Sequence, residues 1–229
     1  MTVSVFNRKN STEAGFTLVE IAIVLVIIGL LLGGILKGQE MITQARIKNA
    51  INDFNGVTVA VTSYQDRYRF LPGDDPGASA RWTVQAPASG NGDGVIAGLY
   101  NAAPGAVAPP AAAESNLFWQ HLRIAGFVAG MTTGAGSGTQ PPNAVGGLIG
   151  VEAATATTGL GFTGTIMCSS NIPDKVAIAI DTQADDSNSA TGQIRAQSQT
   201  SGVPPVTVQN PASAYVETGV GIYLVCKTF

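Results

Sequence analysis

The 229-residue sequence predicts an α+β protein in which a long N-terminal helix packs on a C-terminal antiparallel β-sheet. Three features predict it. An apolar run covers residues 16–36, an amphipathic pattern continues it to about residue 69, and β-rich runs separated by turn residues fill the last third. Composition narrows the function classes. Apolar residues make up 45% of the chain and charged residues 12%, with a net charge of −3. A disordered tail protein needs the opposite balance. No basic cluster is present to neutralise phosphates, so nucleic acid is not an expected partner. The chain has one His and no GxSxG, HExxH or P-loop, so no enzyme activity is expected.

The first element reads FTLVEIAIVLVIIGLLLGGIL, with Glu20 its one charge. As a helix it spans about 30 Å, the thickness of the hydrocarbon core. The polar segment before it carries Arg8 and Lys9, and a positive flank marks the cytoplasmic side. A secretory signal ends in a small-residue site after its apolar core. Here the junction, Gly15-Phe16, lies before it. A carboxylate inside a membrane segment costs roughly 2.5–3.5 kcal/mol on insertion scales and usually marks function. The plainer reading is a single-pass anchor with Glu20 snorkelling to the interface.

Gly15-Phe16-Thr17-Leu18-Val19-Glu20, followed by the apolar run, resembles the prepilin signal of type IV pilins and type II secretion pseudopilins. A weaker resemblance extends to YQDRYRFLPGDDP and the C-terminal half. The resemblance implies a pilin-like fold and a prepilin peptidase that cuts after Gly15 and N-methylates Phe16. Residues 1–15 are then a leader and 16–40 the transmembrane and polymerisation helix. Residues 41–70 form its amphipathic second half, and 71–229 a periplasmic or extracellular globular domain. The implied partners are that peptidase, other pilin subunits in a helical filament, and an inner-membrane assembly platform. The subunit starts as a single-pass inner-membrane protein and ends in a surface pilus. In the filament, the freed Phe16 amine of a neighbour neutralises Glu20 and sets the axial register. The function implied is a structural pilus subunit, major or minor. Two alternatives stand beside it: a pseudopilin of a type II secretion system, and a membrane-anchored, calcium-dependent binding module that does not polymerise.

Beyond the membrane segment, Ile47, Ala50, Ile51, Phe54, Val57, Val61, Tyr64 and Tyr68 recur largely at spacings of three and four. The helix is expected to stop near Phe70, because Pro72 and Gly73 cannot continue it. Residues 16 to 69 then make one helix of roughly 80 Å. Gly29, Gly33, Gly34 and Gly38 each cost about 1 kcal/mol against Ala. They serve either to loosen the helix in a filament or to let helices approach closely in lipid.

Residues 71–115 read as a long Gly/Pro/Ala loop. SNLFWQHLRIAGFVAG reads as a second helix, with Ser115 as cap and Gly126 as stop, and with Trp119 and His121 in or beside the core. Residues 130–165 show little periodicity. GFTGTIMCS, DKVAIAID, GQIRAQS, PPVTVQ and GIYLVCKTF read as strands. Cys168 and Cys226 are the two cysteines. In an oxidising periplasm they form a disulfide that pins the last strand, closing a loop of about 59 residues worth about 4 kcal/mol. Two buried thiols are the alternative.

Ser89-Gly90-Asn91-Gly92-Asp93-Gly94 matches the centre of a calcium loop, with oxygen ligands at alternate positions and Gly at the turn. Asn91 and Asp93 are its candidate ligands, with Asp74 or Asp75 supplying further charge. The loop departs from the full pattern, with Ser89 in place of Asp and Tyr100 in place of the bidentate Glu. A Gly-rich turn with solvated carboxylates is the simpler reading. The acidic stretch at 181–188 reads as a connecting loop with Asx turns, and as a weaker calcium candidate.

Overall fold

A computed structural model describes residues 15, 17–103, 113–155, 157–200, 208–209 and 212–229. The leader residues 1–14 and Phe16 lie outside them, as do residues 204–207 of the expected strand PPVTVQ. The chain divides into two compact units, Met1–Thr43 and Gln44–Phe229, and helix α1 (Leu18–Tyr68) contributes to both.

In the first unit the helix is regular through Gly29, Gly33, Gly34 and Gly38, and its large apolar side chains from Leu18 to Ile42 are exposed. In the second unit α1 buries Ile47, Ala50, Phe54, Val57, Val61 and Tyr64. Their alternating steps of three and four place them on one stripe, as the sequence periodicity requires. The helix ends at Tyr68, where Arg69 turns into the left-handed region at φ 65°, three residues before Pro72.

A four-residue turn of helix, α2 (Ala78–Arg81), interrupts the expected loop. Helix α3 (Glu114–Ile124) follows, and Gly126 at φ 82° ends it as expected. The expected cap is corrected. α3 begins one residue before Ser115, after Ala113, and Glu114 supplies the acidic first turn. A 3₁₀ turn at Ala135–Gly138 precedes the sheet.

Among the described residues the sheet has four antiparallel strands: β1 (Ile149–Ala154), β2 (Gly164–Pro173), β3 (Ile194–Gln199) and β4 (Ile222–Thr228), in the order β1-β2-β4-β3. Alternation divides the strand residues between two apolar clusters. Ile149, Val151, Met167, Ile194, Ala196, Tyr223 and Val225 join α1, α3 and α4 residues in the main core. Ile166, Cys168, Leu224 and Cys226 pack with Tyr100, Leu160, Phe162 and Val208 in the other.

Two sequence expectations are corrected. DKVAIAID is helix α4 (Asp174–Ala184), not a strand. Pro173 precedes it at φ −58°, a value suited to a helix start, and burial falls on Val176, Ala177 and Ile180, a helical spacing. Residues 130–165, read as lacking periodicity, contain β1. Gly150 and the alanines dilute its alternation, and Gly150 is required because a Cβ there would overlap the Tyr100 carbonyl oxygen. The α+β expectation itself holds.

Candidate functional site

The first candidate site is the start of α1. Thr17 is the residue before the helix and Glu20 its third residue. The Glu20 carboxylate accepts the Thr17 amide at 2.9 Å and the Thr17 hydroxyl at 2.8 Å. The Glu20 amide in turn donates to Thr17 Oγ1 at 3.3 Å. This is a capping box, in which Thr and Glu three residues apart satisfy two of the helix's orphan donors. Among the described residues the helical hydrogen-bonding begins at Thr17, whose carbonyl accepts the Ile21 amide. Gly15 is exposed, and Phe16, the candidate cleavage and methylation residue, lies outside the described residues. From this cap runs a 51-residue helix, long and apolar enough in its first part to cross a membrane, with none of that part buried among the described residues.

Residues 10–36 match the family model of the prokaryotic N-terminal methylation motif. The chain carries a prepilin-type signal. That signal is the one found on type IV pilins and pseudopilins, and the helix behind it leads to a pilin-like α+β architecture. The signal indicates a structural protein rather than an enzyme family. No curated protein and no solved structure matches the chain.

The second candidate site is the acidic loop. Ligand atoms of Asp74, Asp93 and Glu114 lie within 4.8 Å of one another. Buried Asp74 accepts the amides of Gly92 at 2.6 Å, Asp93 at 3.2 Å and Gly94 at 2.7 Å. Glu114 accepts those of Asn91 at 3.1 Å and Ala97 at 2.8 Å. Asp93 and Asn91 bond each other at 2.9 Å. The carboxylates thus gather backbone N–H groups and hold the loop against the start of α3. Gly90 permits the close approach, since a Cβ there would overlap the Asp74 backbone. Sequence reading missed Glu114, 23 residues from Asn91; only the fold brings the two together. Asp181, Asp185 and Asp186 form a second cluster. Their carboxylates accept from Ser187 and Tyr215, from Ile194, and from Asn188 and Thr191, respectively.

Asp75 is corrected out of the acidic loop. Its carboxylate accepts the Tyr64 hydroxyl at 2.7 Å, the Gly77 amide at 2.8 Å and Arg81 at 2.5 Å. Arg81 in turn lies 4.3 Å from the Tyr68 ring centroid. His121 closes the other side of this latch. Its Nδ1 accepts the Gly73 amide at 3.0 Å, which leaves Nε2–H to donate to the Ala88 carbonyl at 2.9 Å. It stacks on Tyr64 with 6.3 Å between centroids. Burial lowers the His121 pKa, keeping the ring neutral as both hydrogen bonds require. The lone His is structural, as the sequence suggested.

Burial pushes the Asp75 carboxyl up, but Arg81, Tyr64 and Gly77 outweigh it and hold it below its ordinary 3.8. A depressed carboxyl stabilises the fold above the unfolded value, and that contribution is lost as pH falls through the folded one. Asp75→Ala is expected to cost about 3 kcal/mol at pH 7, by leaving Tyr64 and Arg81 without their acceptor. The deficit against wild type should shrink below about pH 4. Urea unfolding of the full chain in detergent at pH 7 and pH 3 measures both. An equal deficit at the two pH values would contradict a role for the charge.

The cysteines form a disulfide, Cys168–Cys226, with Cα atoms 4.0 Å apart on directly opposed residues of β2 and β4.

A cavity of about 280 Å³ opens between α1 (Asn52, Asp53, Gly56, Val57) and the wall formed by Trp119, Phe127 and Pro141. Asp53 takes a hydrogen bond from the Ala144 amide, but its Oδ2 is buried with no partner among the described residues. Sequence reading did not single out this group, because an Asp in a helix looks solvated until the neighbouring elements cover it.

Proposed function

We propose that the chain is a structural subunit of a type IV pilus, cut after Gly15, methylated on Phe16, and polymerised through α1. The carrying observation is the prepilin signal joined to a lipid-length helix that the described residues leave uncovered, with one carboxylate near its start. An apolar helix of this length needs lipid or copies of itself as its surroundings. Glu20 supplies the specificity. In the subunit Thr17 satisfies it, and in the filament the Phe16 amine of a neighbour pairs with it. The exchange fixes how far each copy rises past the next. The peptidase, other subunits and an inner-membrane platform are the partners this route requires.

The test is an intact mass of the protein in filaments sheared from native cells. A mass for residues 16–229 plus one methyl and less two hydrogens supports processing, polymerisation and disulfide together. Recovery of the processed chain from the membrane fraction alone removes the surface pilus and favours the pseudopilin. Calcium at Asp74, Asp93 and Glu114 is a second reading, favoured by the closeness of their ligand atoms. On it, calcium should raise the Tm of the full chain relative to chelator, and an unchanged Tm removes the site.

A further inference from the structure

We propose that the cavity at Asp53 is a docking site for Lys48 of a second copy of this chain, so that an ion pair on α1 reinforces the register set at Glu20. This rests on the polymerisation reading above. Three independent features lead to it.

The first is an uncompensated polar atom. Asp53 lines the cavity, and its Oδ2 has no partner among the described residues. A buried acceptor without a donor carries a desolvation penalty that a cation from outside would offset. The second is Gly56, one turn further along the helix and also on the cavity wall. Nothing among the described residues lies within 4 Å of a Cβ built there, so no contact with them requires glycine. Mid-helix glycine costs about 1 kcal/mol against Ala. Its absent side chain leaves room for a group from another molecule.

The third is register. If the Phe16 amine of one copy sits level with Glu20 of the next, each residue of the first lies level with the residue four positions later in the second. Two identical helices side by side keep that offset along their length. Lys48 of the first copy then comes level with position 52, about 1.5 Å along the axis from Asp53. Lys48 is exposed and has no ion-pair partner among the described residues. Its apolar stem suits the Val57, Phe127 and Pro141 wall while its ammonium meets the carboxylate. The same offset brings Glu40 of the first copy within two residues of Arg46 of the second, again with opposite charges.

The experiment is a charge swap in the full chain, read as polymer recovered by shearing from producing cells. Lys48→Glu and Asp53→Lys should each reduce polymer about tenfold, and the double variant should restore at least half of it. Asp53→Asn, which keeps the side-chain volume, should also reduce it. Protease resistance of the membrane-extracted subunit checks that each variant folds. Singles that assemble like wild type, or a double no better than the worse single, overturn the pair. If at the same time wild type polymerises and Glu20→Ala does not, the pilus reading stands without it. A wild-type chain that forms no polymer overturns both.

Discussion

Replacing both Cys168 and Cys226 with Ala is expected to destabilise the globular unit by about 4 kcal/mol and to lower its Tm by roughly 10 °C. The size follows from the 58-residue separation of the pair, since the crosslink removes the entropy of closing that loop from the unfolded chain. The topology gives the loss its direction. β4 is the last strand of the chain and yet lies inside the sheet, between β2 and β3. Among the described strands β3 pairs with β4 alone, so a chain that releases β4 leaves β3 without its strand partner and opens both apolar clusters. The disulfide ties β4 to β2 at the one pair of opposed residues where two sulfurs meet, on the face shared with Leu224 and Ile166. Thermal unfolding of the full chain in detergent measures the stability change. Limited proteolysis should show C-terminal cleavage first in the variant. A Tm within about 2 °C of wild type would mean that the two apolar clusters alone hold β4 in place.

Much of this fold is legible in the chain because its largest elements carry periodicities that no tertiary contact has to rescue. α1 announces itself twice, by an apolar run of membrane length and by the steps of three and four from Ile47 to Tyr64. The cysteines fall on opposed strands, as their surrounding β-rich runs suggest. Legibility fails where short segments satisfy two patterns at once. In α4, Val176, Ile178 and Ile180 alternate as in a strand, while Val176, Ala177 and Ile180 make a helical face; Pro173 and the packing against the sheet decide for the helix. β1 is hidden because a close backbone approach demands Gly150 and burial places Glu152 where a strand pattern expects solvent. The acidic loop fails differently. Asn91 and Asp93 are local and visible, but Glu114 joins them only through the fold, and Asp75 leaves because Tyr64 and Arg81 claim it. Thr17 and Glu20 were readable as a signal. That they also form a capping box was equally present in their spacing.

That double role makes Glu20→Ala the sharpest variant of the chain: it is expected to enter the membrane as wild type does and to yield at least tenfold less polymer. Insertion survives because the two changes at the helix start oppose each other. Losing the cap costs about 1 kcal/mol, whereas removing a carboxylate from the apolar segment saves roughly 2.5–3.5 kcal/mol. Assembly fails because the freed amine of a neighbouring Phe16 then enters an apolar environment without a counter-charge, and an unpaired buried charge costs about 3–5 kcal/mol. Glu20→Gln separates the two roles. A carboxamide can still accept from the Thr17 amide and hydroxyl, so the cap is kept, but it cannot neutralise an ammonium. If charge pairing drives assembly, Gln behaves like Ala. If the cap alone matters, Gln assembles like wild type and Thr17→Ala, which keeps the carboxylate but loses the hydroxyl, is the variant that fails. Membrane fractionation beside sheared-polymer yield for the three variants reads out both steps, and normal polymer from Glu20→Ala would remove Glu20 from the assembly mechanism altogether.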